Sequence, residues 1–294
     1  MLDDAAIKKY YSEVSKDELK RFQDFLKTHT LSSIEWGGEN IPYFCGGAGE
    51  RTLLTFSGIH SGPEALYESI LAYEDRYRIL VVDVSTFRSL DEFNKAANRI
   101  LDREGASRVT VMGQSFSGFF AQAYFRRNCD RIDGMILTNS MAPNPKKSSS
   151  FALLLCRWMP FFIIKAIILR NLGRLAETEL EIPPEMKEKI QFKAALLRQI
   201  MDSNLTKKSL VETVRMLFEF HDKDIYREGD FEHWPGKALL ITSEDDPYFK
   251  DVEIFTRYLP NAQVHTLPKG WKHLAPMVHL GEFHETIRNF MDEL

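Results

Sequence analysis

Two hydrophobic rhythms alternate along the chain. Short apolar runs recur at Thr52–Phe56, Ile79–Val82, Val109–Met112, Met135–Thr138, Ala238–Thr242 and Gln263–Leu267. Between them, apolar residues fall three or four positions apart, the spacing of a helix face. Pro63–Arg76 opens such a stretch on a proline. Leu90, Phe93, Ala97, Ile100 and Leu101 mark the next, which closes at Gly105. Phe119, Phe120, Ala123 and Tyr124, then Val252–Tyr258, then Phe283, Ile287, Phe290 and Met291 supply three more. Strands and helices in turn predict a mostly parallel sheet covered on both faces, an α/β architecture. Ahead of this rhythm, residues 4–28 read as one or two helices, with Ser15 and Glu18 spaced as a capping box before Leu19, Phe22 and Leu26. Ser33–Trp36 and Ile41–Cys45 read as two short strands joined at Gly37-Gly38-Glu39-Asn40.

From about Ser140 to His233 the alternation stops and only helical spacing remains. One helix is expected over Ser150–Asn171. A second begins after Pro183-Pro184 with Ile190, Ala194, Leu197 and Met201 on one stripe, and a third carries Leu210, Val214, Leu217 and Phe218. The organisation expected is a core of residues 1–140 and 234–294, with residues 141–233 inserted as a helical cap, or lid.

One junction in this pattern carries chemistry. The run Val109–Met112 stops at Gly113, and helical spacing resumes just after Ser115. Strand, sharp turn and helix with a serine at the apex is the geometry of a nucleophile elbow, which needs small residues two places before and after the serine. Gly113 and Ser117 stand there. A turn of small residues could serve close packing alone. A hydroxyl also reacts only if a base takes its proton and a third group orients that base. In this architecture acid and base follow in that order, each in a turn after a later strand. The turn after Ala238–Thr242 reads Ser243-Glu244-Asp245-Asp246-Pro247, and the loop after the last strand reads Lys269-Gly270-Trp271-Lys272-His273. Asp246, later in its turn than Asp245, is the expected acid. His273 is the expected base, because His265 lies within a strand pattern and His279 and His284 flank or lie within the closing helix. The oxyanion would need two amides: that of Phe116, after the nucleophile, and that of Ile59, in the small-residue loop Ser57–Gly62.

Composition narrows the partners. The 294 residues are 44% hydrophobic with a formal net charge of -4, and no basic run is longer than Lys146-Lys147, so no nucleic-acid surface is expected. Cys45, Cys129 and Cys156 are few and far apart, which suits reduced thiols and gives no zinc spacing. Gly46-Gly47-Ala48-Gly49 lacks the lysine of a phosphate loop. The acidic start, without an apolar signal region, points to a cytoplasmic protein. Phe151–Leu169 is almost wholly apolar, but Arg157, Lys165 and Pro160 interrupt it, and with two charges in one span a buried or lid helix is expected rather than a membrane span.

Together the motifs resemble the α/β-hydrolase superfamily, its serine-nucleophile branch, over nearly the whole chain. Gly113-Gln114-Ser115-Phe116-Ser117-Gly118 matches its elbow, Asp246-Pro247 its acid turn and Gly270-Trp271-Lys272-His273 its histidine loop. Ser57-Gly58 departs from the His-Gly of many members, and Ser117 from the second glycine of the elbow. The resemblance implies a Ser115–His273–Asp246 triad that hydrolyses a carboxylic ester or related acyl compound without cofactor or metal. It argues against dehalogenase and epoxide-hydrolase chemistry, which place an aspartate at the elbow. The apolar cap residues, Trp158, Phe161 and Phe162 among them, would suit a small-molecule substrate with an apolar part. Met135–Ser140 and Trp158–Lys165 resemble the maspardin branch, viewed as binding members of the fold. That likeness implies the other outcome, a non-catalytic module whose lid docks a protein or a peripheral membrane.

Overall fold

A computed structural model of the chain describes residues 3–58, 60–148, 150–176, 182–259 and 261–294. The chain opens with helices α1 (Asp4–Tyr10) and α2 (Lys16–Thr28), followed by strands β1 (Ser32–Trp36), β2 (Glu39–Gly46) and β3 (Thr52–Phe56). Helix α3 (Tyr67–Tyr73), β4 (Arg78–Val82), α4 (Leu90–Arg103), β5 (Val109–Gln114), α5 (Ser117–Asn128) and β6 (Ile132–Thr138) continue the alternation. Four helices then run in succession: α6 (Ser150–Trp158), α7 (Phe161–Ala176), α8 (Pro184–Asn204) and α9 (Lys207–Lys223). The chain ends β7 (Lys237–Ser243), α10 (Val252–Tyr258), β8 (Ala262–Leu267), α11 (Ala275–Val278) and α12 (Leu280–Asp292).

The strands form one sheet in the order β1-β2-β4-β3-β5-β6-β7-β8. It is parallel from β4 to β8, with β1 and β2 antiparallel at one margin. Successive side chains in a strand point to opposite faces, so each central strand must be apolar on both. Leu54, Val111, Leu137 and Leu240 pack on one side with α4, α5 and α10. Leu53, Met112, Ile136 and Leu239 pack on the other with α2, α3 and α12.

Three local expectations are corrected. Ser15 precedes α2 but its side chain makes no capping bond; Glu18 instead accepts a hydrogen bond from Tyr67 Oη at 3.3 Å, so the pair is drawn apart by a tertiary contact. Pro63–Arg76 is not one helix, because a 3₁₀ turn over Pro63–Leu66 precedes α3. The helix expected over Ser150–Asn171 is two. Pro160 has no amide to donate to the turn before it, and the chain breaks between α6 and α7.

Where the helical stretch returns to the sheet it is fastened to the end of α5. Arg127 Nη1 donates to Asp224 at 2.7 Å and Arg126 Nη1 to Asp230 at 2.5 Å. Burial pushes the Asp224 carboxyl up, against the pull of Arg127 and Arg126.

Candidate active site

Ser115 sits directly beyond β5 with φ at 52°, a left-handed backbone that few residues other than glycine adopt. Its amide donates to Thr138 O of the neighbouring strand at 2.9 Å, which fixes the turn to β6. The small flanking residues have a measurable reason. A methyl group at Gly113 would lie 2.6 Å from Gly118 Cα and 2.8 Å from Ser117 O. Ser117, in place of a second glycine, uses its hydroxyl to close the turn: Oγ accepts from Gln114 N at 2.9 Å and donates to Gln114 O at 3.0 Å. The residue between, Phe116, is half-buried. It precedes the first turn of α5, where amides have no partner within the helix. Ile59 lies outside the described residues.

The fold brings three distant side chains into series. His273 Nε2 is 2.7 Å from Ser115 Oγ, and His273 Nδ1 is 2.6 Å from Asp246 Oδ2. The Asp246 side chain is fully buried, and its other oxygen accepts the Tyr248 amide at 2.7 Å. A carboxylate can only accept, so Nδ1 of a neutral imidazole must carry the proton and Nε2 must present its lone pair to the serine hydroxyl. The Tyr248 ring stands edge-on to the imidazole with centroids 5.7 Å apart.

Residues that sequence reasoning passed over hold these three in place. Asp245, weighed as the acid, instead joins the two loops. Its Oδ2 accepts the amides of Gly270 at 2.7 Å and Lys272 at 3.2 Å, and its Oδ1 accepts the Ser243 hydroxyl. Burial works against its charge, but these donors outweigh it and hold the carboxyl below its ordinary range. Asn139, at φ 44° beyond β6, donates from Nδ2 to His273 O at 3.4 Å. Ser57 donates to Asp83 Oδ1 at 3.0 Å and accepts Val84 N at 3.2 Å, tying the loop after β3 to the end of β4. In the same loop His60 is buried, its Nε2 3.2 Å from Thr213 Oγ1 of α9. Burial pushes its imidazole down to about 4, against the upward pull of Asp83. Apart from the Ser243–Asp245 bond, these contacts join residues far apart in sequence.

A cavity of about 390 Å³ opens beside that loop, lined by His60, Asp83, Thr86, Lys208 and Glu212 among others; Ser115, Asp246 and His273 do not line it. Of the expected apolar roof, Phe161 is half-buried, while Trp158 and Phe162 are 79% and 73% exposed and present their rings to solvent. Among the described residues no group of three or more His, Cys, Asp or Glu side chains is arranged to hold a metal ion.

Comparison with known proteins adds to this geometry. Naproxen esterase from Bacillus subtilis superposes with a TM-score of 0.63 at 12% identity, covering 99% of both chains. A hydrolase from Pseudomonas aeruginosa PA01 superposes with a TM-score of 0.67 at 18% identity, over 89% of this chain and 98% of that one. The chain has the α/β-hydrolase fold. By sequence this α/β-hydrolase-fold chain is similar to maspardin from Danio rerio, 24% identical over 236 residues, which are 76% of this chain and 72% of maspardin. No protein-family model matches it.

Proposed function

We propose that this protein is a serine hydrolase acting on a carboxylic ester or related acyl compound. The observation that carries the reading is the hydrogen-bonded series from Ser115 through His273 to the buried Asp246. In the reaction, Nε2 takes the hydroxyl proton as Ser115 Oγ attacks the carbonyl carbon. Asp246 holds the tautomer and offsets the charge of the imidazolium. The imidazolium then gives its proton to the leaving group, and water admitted to the site releases the acyl group by the same steps in reverse. The amide of Phe116 serves as one oxyanion donor, with Ile59 as the expected second. Residues 141–233 act as a cap over the site, and an apolar portion of the substrate is accommodated beneath it. The naproxen esterase likeness is consistent with an ester substrate.

The similarity to maspardin favours a second reading, a non-catalytic interaction protein of the same fold. A fluorophosphonate probe separates the two, because it reacts only with an activated serine. Labelling of the parent and none of Ser115→Ala is expected. An unlabelled parent, or label persisting in Ser115→Ala, overturns the hydrolase reading. Chromogenic esters of increasing acyl length then test the apolar preference.

A further inference from the structure

Helices α6 and α7 reverse the usual arrangement of a surface helix, which hides its apolar face and shows water a polar one. Leu154, Leu155 and Trp158 of α6 continue into Phe162, Ile163 and Ile167 of α7 as one outward patch, each between 39% and 79% exposed. The opposite side of α7 is already committed. It packs on α8, with Lys165 Nζ 2.9 Å from Asp202 Oδ1 and bonded to Asp202 O at 2.6 Å. The outward patch therefore has no partner within the described chain, and contiguous exposed apolar surface of this kind marks an interaction site.

Charge selects what covers it. From Pro145 to Ala176 the sequence holds Lys146, Lys147, Arg157, Lys165, Arg170 and Arg174 and no Asp or Glu, in a chain whose net charge is -4. Arg157 and Arg170, on the same two helices as the patch, are exposed. A second copy docking symmetrically would set this basic segment against itself. An anionic lipid surface meets both demands, with an apolar layer for the rings and negative headgroups for the cations. No helix among the described residues is long and apolar enough to cross a membrane, so the contact lies along the surface.

We propose that the α6–α7 segment docks this protein onto anionic lipid bilayers, with Trp158 and Phe162 inserted at the headgroup boundary. The docking stands apart from the hydrolase reading, and Ser115→Ala is expected to bind vesicles as the parent does. The test is cosedimentation of the full chain with vesicles of phosphatidylcholine, alone or with about 30 mol% phosphatidylserine. Binding to the anionic vesicles is expected, falling as salt is raised. The variant W158S/F162S should bind about tenfold less or weaker still, and R157E/R170E should lose the preference for phosphatidylserine. These side chains are exposed, so thermal melts of the variants should match the parent. In a separate readout, brominated lipid should quench parental tryptophan fluorescence more than that of Trp158→Phe, which keeps an aromatic ring. A parent that stays in the supernatant with anionic vesicles, a W158S/F162S variant that binds equally well, or self-association of the parent abolished by W158S/F162S would each overturn the proposal.

Discussion

Asp245 Oδ2 accepts the amide of Gly270 at 2.7 Å, so the acid turn and the histidine loop are joined by the carboxylate next to Asp246. Gly270 has φ at 116°, and Lys272, two residues on, has φ at 48°, a left-handed backbone for a non-glycine residue whose amide the same carboxylate accepts. The consequence separates two neighbouring aspartates by role.

Asp245→Ala should lower kcat for ester hydrolysis by roughly ten- to a hundredfold, the scale of one lost charge-assisted hydrogen bond of about 1.5–3 kcal/mol. Asp246→Asn should cost about 10⁴-fold, as expected when the orienting carboxylate is replaced and the imidazole takes the wrong tautomer. Steady-state kinetics gives the ratio. Hydrogen exchange checks the positioning role directly, because Asp245→Ala should expose the amides of Gly270 and Lys272 while Asp246→Asn should leave them protected.

Gly113→Ala should destabilise the protein by about 1–3 kcal/mol, the usual cost of forcing a methyl into a packed site. The added carbon would press on Gly118 Cα and Ser117 O, both backbone and unable to rotate away. Urea denaturation reads the loss. Unchanged stability would mean that the elbow is looser than its contacts indicate.

The buried histidines set a pH dependence. Burial pushes His60 down to about 4, and also His284, where Arg288, Lys189 and Lys193 add to it. An unfolded imidazole titrates near 6.5. The contribution of each neutral ring is therefore complete above that value. It is lost as pH falls toward 4, where the unfolded chain has taken up a proton that the native state resists. The loss is on the order of 3 kcal/mol per histidine. His60→Gln should show a smaller drop in urea midpoint between pH 7 and 4.5 than the parent.

The sheet was readable because its central strands are apolar on both faces, as at Ile79–Val82 and Val109–Met112, where no helix-like spacing competes. Candidate positions Ser115, Asp246 and His273 were readable because each lies just past a strand in an order the architecture requires. What holds them was not. Asp245 gains the Gly270 and Lys272 amides only when the later loop folds against it. Ser57 and Asp83 meet only because β3 and β4 are neighbours in the sheet. The break at Pro160 was visible in the sequence, yet apolar spacing on both sides of it read as continuous.

Helix α5 has its first turn at the serine bend and its last at Arg126 and Arg127, which grip Asp230 and Asp224. Its 12 residues make a stiff rod of about 18 Å. Nucleophile and fastening are thus two ends of a single lever. A load on the segment after α9 would reach Ser115 along that rod as a mechanical displacement, without any change in the chemistry around it.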